Sequence, residues 1–303
     1  MPQDSNNDAT WRDYLNLHFY VLLMGFTAIL GDLISLSAAS LVSWRTGLAG
    51  IALFTWVFLS PGKSAKIALK PALGMIATGL VLGLHWLCFY GSIKLANVSI
   101  CLTGMASISL FTAIIEPIIT KRPFRREELW VGLIVIAGLS LVLSFAFDHW
   151  LGFLVSVLGA LLAAIFPSYT RLYVQRGYSA IVITAYEMIG ATIVCLVAAL
   201  LWGDKLIPTA ADWLWIAILS GVCTVYAFAL FVHLLRRMTA YTTALALNFE
   251  PVYGILLAAW LLNEHEELDI RFYFGTFILV LASFIHTRLV ARQRRKLLAN
   301  TAG

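Results

Sequence analysis

Long, unbroken apolar runs are the feature that most constrains this chain. Each extends over about twenty residues without alternation, which is the length of an α-helix that crosses a bilayer. Backbone groups inside lipid must bond to each other, so only helices and closed barrels span membranes, and barrel strands would alternate. Apolar residues make up 61% of the chain and charged residues 12%. The sequence therefore predicts an all-α integral membrane protein.

Short polar connectors divide the apolar runs into ten predicted transmembrane helices. In chain order, the ten spans are expected at residues 15–33, 41–59, 72–93, 98–119, 129–147, 151–169, 180–202, 213–233, 241–262 and 271–290. Residues 1–14 are expected to form an N-terminal tail and residues 291–303 a basic C-terminal tail. Pro167 is expected to kink or stop the sixth helix, because proline lacks the N–H that continues a helix.

The distribution of basic residues orients this arrangement. Most of the 21 Lys and Arg residues fall in connectors on one side, whereas Lys94, Lys205 and Arg271 fall on the other. Since cytoplasmic connectors carry the excess of Lys and Arg, both termini are expected in the cytoplasm. We expect an integral protein of a bacterial plasma (inner) membrane. The net charge of +5 then reflects topology, and no nucleic-acid partner is expected.

The chain also repeats internally, with residues 15–147 and 151–290 as two units of five spans. The segment that starts at Ala96 resembles the one that starts at Ala240, and Gly132 and Gly275 each open the closing span of their unit. Because five is odd, the two units have opposite orientations in the membrane. Inverted repeats of this kind build transporters whose substrate site lies near the midplane. We therefore expect two inverted five-helix repeats around a central cavity.

One stretch of the second unit resembles a known family. The sequence LNFEPVYGILLAAWLLNE, which contains Glu250 and Pro251 and is followed by Gly275, resembles the ten-span EamA-type branch of the drug/metabolite transporter (DMT) superfamily. The arginine in VSWRTGLAG, Arg45, also matches. The resemblance implies a pseudo-symmetric bundle in which the first four spans of each half surround a cavity. It is similar to bacterial exporters of amino acids and metabolites.

The first unit departs from this pattern. Its Glu116-Pro117 pair falls later in the repeat than Glu250-Pro251, and the position that matches Glu250 lies near Ala106. Glu116 is therefore not assigned the role of Glu250.

Two intramembrane carboxyl groups are candidates for binding or coupling, because ionisable residues in membranes are costly and often functional. Glu250 lies near the middle of span nine, with Asn248 close by, and Glu187 lies in span seven. Both glutamates are expected to bind substrate or carry protons, and Asn248 is expected at the substrate site. A structural hydrogen bond remains the alternative for each glutamate.

Arg45 is the cation inside span two, and three roles are open for it. It could bind a substrate carboxylate, extend to the interface, or pair with Asp32 at the end of span one. We favour the structural pair with Asp32.

Aromatic residues on the predicted cavity walls are further candidates for substrate binding. His85, Trp86 and Tyr90 lie on span three, where Trp86 and Tyr90 share a face one turn apart. Tyr169 and Tyr226 are weaker candidates of the same kind. Aromatic faces suit cationic or ring-bearing substrates, although packing is the commoner role of such a stripe.

The remaining motifs do not indicate covalent chemistry. The sequence has no P-loop, GxSxG or HExxH motif, and its four cysteines lie in apolar runs. No enzyme activity, cofactor or metal site is expected. The favoured function is a transporter, with export expected, that moves small metabolites such as amino acids by alternating access, with protons as a candidate coupling ion. A carrier of cationic aromatic compounds or nucleosides, and a membrane-embedded lipid-modifying enzyme, are the alternatives; both monomer and homodimer are open.

Overall fold

A computed structural model describes residues 9–60, 66–121, 147–247 and 249–262, together with the single positions 124, 134, 270, 274, 277, 278 and 281. The elements in these ranges are helical. They are α1 (Trp11–Leu33), α2 (Ala38–Leu59), α3 (Leu69–Leu95), α4 (Val98–Met105), α5 (Ile108–Thr120), a 3₁₀ turn (Phe147–His149), α6 (Trp150–Gln175), α7 (Ala180–Trp202), α8 (Asp212–Ser220), a π-helical segment (Gly221–Tyr226), α9 (Ala227–Leu234), α10 (Ala240–Leu247) and α11 (Glu250–Leu261). The prediction of an all-α fold is confirmed for this part of the chain.

Six described helices are long and apolar enough to cross a membrane, and the bent pair α4–α5 makes a seventh candidate. The six are α1, α2, α3, α6, α7 and the continuous run Asp212–Leu234. Predicted spans five and ten fall almost entirely outside the described residues. The count of ten therefore stays a prediction.

Two helix boundaries differ from the predictions. Helix α1 begins at Trp11, inside the predicted tail, because Thr10 and Asp13 form a reciprocal capping box that starts the helix there. Helix α6 does not stop at Pro167 but continues to Gln175. A proline removes one N–H, but membrane helices tolerate that loss where neighbouring helices re-satisfy the freed backbone groups.

Spans four and nine both break near their middle. Span four ends α4 at Met105 and resumes as α5 at Ile108, with a bend of 46° between the two parts. In span nine, α10 ends at Leu247 and α11 begins at Glu250, with Phe249 in a turn before α11; Asn248 lies outside the described residues. The position that the repeat register matches with Glu250 lies at the break in span four. The two breaks therefore fall at positions that the predicted repeat matches with each other.

Glycines allow helices of the two halves to pack with their backbones in contact. A Cβ atom on Gly79 of α3 would overlap the carbonyl of Glu187 in α7, and one on Gly190 of α7 would overlap the carbonyl of Ile76. Gly25 of α1 also lies close to α11, since a Cβ atom on it would come within 3.2 Å of the Gly254 backbone nitrogen. Small residues at such crossings are typical of membrane helix pairs, because dispersion contacts drive their association.

Substitution of Gly190 by alanine tests the α3–α7 crossing. The added methyl group meets backbone atoms of α3, which cannot rotate away, so Gly190→Ala should lower the melting temperature of the detergent-solubilised protein by about 3 °C or more. Gly47→Ala is the matched control, since its Cβ would make an ordinary contact with Thr192. Equal melting temperatures for both variants would contradict the close approach.

Candidate functional site

A central cavity lies where the two helix breaks meet. Its volume is about 50 Å³. Its walls come from predicted spans one, three and four of the first half and six, eight and nine of the second. The lining residues are Tyr20, Met24, Thr27, His85, Trp86, Phe89, Met105, Ile108, Thr112, Ala163, Phe166, Pro167, Phe228, Phe231, Thr243, Leu247 and Glu250.

The apolar part of this wall is a continuous set of aromatic rings. Phe228 stacks on Phe166 with ring centroids 5.9 Å apart and meets Trp86 edge-to-face at 5.5 Å. Tyr20 stacks on Phe231 at 5.0 Å. These rings come from four different spans of the two halves. Offset and edge-to-face pairs at such distances are the favourable arrangements, so the wall is well packed.

Glu250 places a carboxyl group on the cavity wall. It is the first residue of α11, its exposure is 8%, and among the described residues no side chain or backbone group is seen to bond to its carboxyl group. A buried carboxylate without a partner is costly, which makes a ligand cation or a proton its natural complement.

His85 brings a second polar group to the same cavity. Its Nδ1 lies 2.9 Å from the carbonyl oxygen of Gly159. Because a carbonyl can only accept, Nδ1 carries the proton in this bond, and the neutral ring then presents Nε2 as an acceptor. His85 and Trp86 both line the cavity, as the sequence predicts.

Arg45 does not pair with Asp32, so the favoured pairing is wrong. Its side chain is 1% exposed, and its three nitrogens donate to the Thr224 hydroxyl at 2.6 Å, the Tyr90 hydroxyl at 2.6 Å and the Cys223 carbonyl at 3.2 Å. Asp32 lies on the surface instead. The guanidinium group points inward because the π-helical segment and Tyr90 offer it acceptors there.

The π-helical segment explains why Arg45 can be satisfied without a carboxylate. In a π-helix the bonding partner shifts by one residue, and such segments often mark functional sites. The Thr224 hydroxyl donates to the carbonyl of Leu219, and Arg45 donates to the carbonyl of Cys223. The Arg45 guanidinium also stacks 4.1 Å from the centre of the Trp86 ring, so it lies directly behind the cavity wall.

Several predicted site residues lie elsewhere. Tyr169 and Tyr226 are 43% and 52% exposed on the outer surface, so their placement at the substrate site is corrected. Tyr90 is buried behind the wall as a partner of Arg45. Glu187 is fully buried and does not line the cavity; its Oε1 accepts from the Thr170 hydroxyl, and its Oε2 has no partner among the described residues. Asn248 lies outside the described residues.

Most of the aromatic wall could not be recognised from the sequence. Tyr20, Phe166, Phe228 and Phe231 all line the cavity but stand in runs that are apolar throughout. A helix that is apolar all round gives no sign of which face meets a cavity.

Replacement of Arg45 tests the buried network. Arg45→Lys should lower the melting temperature nearly as much as Arg45→Ala, because an ammonium cannot reach three acceptors in a fixed plane or cover the Trp86 ring. Tyr90→Phe removes one acceptor and should give a smaller loss. Thermal unfolding followed by tryptophan fluorescence measures all three. If Arg45→Lys kept the melting temperature of the wild type, the positive charge alone, and not the planar guanidinium, would stabilise this network.

Comparison with known proteins agrees with this architecture. Residues 150–288 match the EamA-like transporter family. One solved crystal structure, described simply as that of a protein, superposes with a TM-score of 0.69 at 15% identity, over 92% of this chain and 98% of that one, which shows a common fold. None of the curated proteins compared matches the chain in sequence. Residues 150–288 thus match an EamA-like transporter domain, and that family is part of the drug/metabolite transporter superfamily.

Proposed function

We propose that this protein is a secondary transporter that carries small metabolites, amino acids first among them, through the central cavity by alternating access. The observation that supports this most is the origin of the walls. Spans one, three and four face their counterparts six, eight and nine, and the breaks of spans four and nine meet at the cavity. Rocking of one half against the other would open such a site to each side in turn.

The lining favours an amphipathic solute with a positive group. Glu250 supplies a carboxyl group, and the aromatic rings supply an apolar surface. Cationic aromatic compounds fit the same features and are the second candidate. Nucleotide-like cargo is disfavoured, because no Lys or Arg is among the described residues that line the cavity.

Glu250 is also the proposed coupling group, because one carboxyl group can bind either a proton or the cationic part of a substrate. Competition between the two would link their movements. Glu187 is a second candidate, since it is buried between α6 and α7 with an unpartnered oxygen among the described residues. It lies outside the cavity, so its protonation would act on helix packing rather than on the substrate.

We also propose a membrane location and an orientation for the protein. It would reside in the plasma (inner) membrane of a bacterium with both termini in the cytoplasm, and would export its substrate without acting as an enzyme. The excess of Lys and Arg in the connectors of one face supports this orientation. Monomer and homodimer both remain open.

Uptake into proteoliposomes tests the function. A panel of radiolabelled amino acids, cationic aromatic compounds and nucleosides is presented with and without an imposed pH gradient. We expect an amino acid or a cationic compound to accumulate with the gradient. Glu250→Gln should abolish accumulation, and Glu187→Gln should slow it without changing KM. Tyr226→Phe, on the outer surface, is the matched control and should transport normally.

The other outcomes each carry a meaning. If solute uptake is the same with and without the pH gradient, the protein is a facilitator and Glu250 has no coupling role. If no solute moves, the transport proposal fails, and turnover of lipid substrates becomes the test of the enzyme alternative.

A further inference from the structure

We infer that the cavity selects its substrate by N–H donors, so that protonated primary and secondary amines bind in preference to fully methylated ones, and that His85 determines this specificity together with Glu250. The inference rests on the proposed transport function and names the chemical class of its substrate. It follows from the direction of each hydrogen bond at the cavity wall.

Two threonine hydroxyls on the cavity wall donate their protons to backbone carbonyls. Thr27 donates to the carbonyl of Met24 at 2.6 Å, and Thr112 donates to the carbonyl of Ile108 at 2.8 Å. A hydroxyl has a single proton to donate. Toward the cavity, Thr112 can therefore offer lone pairs but no donor, whereas the Thr27 oxygen is also hydrogen-bonded to the Tyr90 hydroxyl.

His85 follows the same rule. The Gly159 carbonyl holds the proton of the ring on Nδ1, so the neutral imidazole has the Nε2 lone pair left. His85 is 8% exposed and lines the cavity, and no described group is seen to bond Nε2. Its ring is held in place by contacts with Phe89 and Phe166, at 6.3 and 5.8 Å between centroids. The acceptor is therefore positioned before any substrate arrives.

Glu250 completes an acceptor-rich set. Its carboxyl group adds acceptors and negative charge to the aromatic wall. Against these, Tyr20 and Trp86 are the side chains of the described wall that have a proton to give. A ligand that supplies several donors, such as an ammonium group, is complementary to such a wall.

The negative charge of Glu250 alone does not explain why the wall carries so many hydrogen-bond acceptors. A quaternary ammonium would satisfy Glu250 and the aromatic faces but would leave the acceptors of His85 and Thr112 without donors. Unmet acceptors in a desolvated site cost binding energy. The structure therefore assigns the discrimination between methylated and unmethylated amines to His85, and the attraction of cations to Glu250.

Transport of a matched pair of amines tests the inference. The probes are 2-phenylethylamine and trimethyl(2-phenylethyl)ammonium, measured with the full-length protein in proteoliposomes. We expect a KM for the primary amine about tenfold below that of the trimethyl compound. His85→Phe should raise the KM of the primary amine about tenfold and leave the trimethyl compound unchanged. His233→Phe, at an exposed position outside the cavity, should change neither.

A second variant guards against misfolding of the first. His85→Asn can keep a donor for the Gly159 carbonyl while it removes the Nε2 acceptor, and the same shift in KM is expected. Equal KM values for the two amines in the wild type, or an unchanged ratio in both variants, would overturn the inference. If neither amine moves but another solute does, the inference fails while the transport proposal stands; if nothing moves, both fail.

Discussion

A backbone group that faces lipid without a partner costs several kcal/mol, so a membrane helix can break only where other protein groups surround the break. Spans four and nine satisfy this condition for each other. The break between Met105 and Ile108 and the break between Leu247 and Glu250 open onto one cavity, and helices of both halves enclose it. The same constraint explains why the cavity lies deep in the protein. Irregular backbone at this depth has to line a protected space, and that space is available for a solute.

The burial of Arg45 follows from the same requirement that polar groups inside the membrane have protein partners. Arg45 of span two donates a hydrogen bond to the Cys223 carbonyl in the π-helical segment of span eight. This bond joins the two halves, because span two belongs to the first and span eight to the second. Trp86 separates the guanidinium from the cavity. The wall can thus present acceptors to a solute while the positive charge remains behind it.

The fold class could be predicted from the sequence, because apolar runs of about twenty residues in lipid admit little besides helices. The repeat register matches Glu250 with a position near Ala106, where span four breaks, and Glu250, His85 and Trp86 line the cavity as expected. The Arg45–Asp32 pair is wrong because Thr224, Tyr90 and Cys223 offer Arg45 acceptors inside the protein, and hydropathy does not register such contacts. The cavity role of Tyr226 is wrong because this residue of the π-helical segment is about half exposed.

The most direct test of the central claim is whether both sides of the membrane reach the cavity. In a variant without Cys88, Cys101, Cys195 and Cys223, single cysteines are placed at Ile108 and Leu247, on the two breaks, and labelled with a charged, membrane-impermeant thiol reagent added to one side at a time. Tyr226→Cys, on the outer surface, is the control. The account predicts that both cavity positions react from either side and that a transported solute slows the reaction. Reaction from one side alone would contradict alternating access and leave a static pocket.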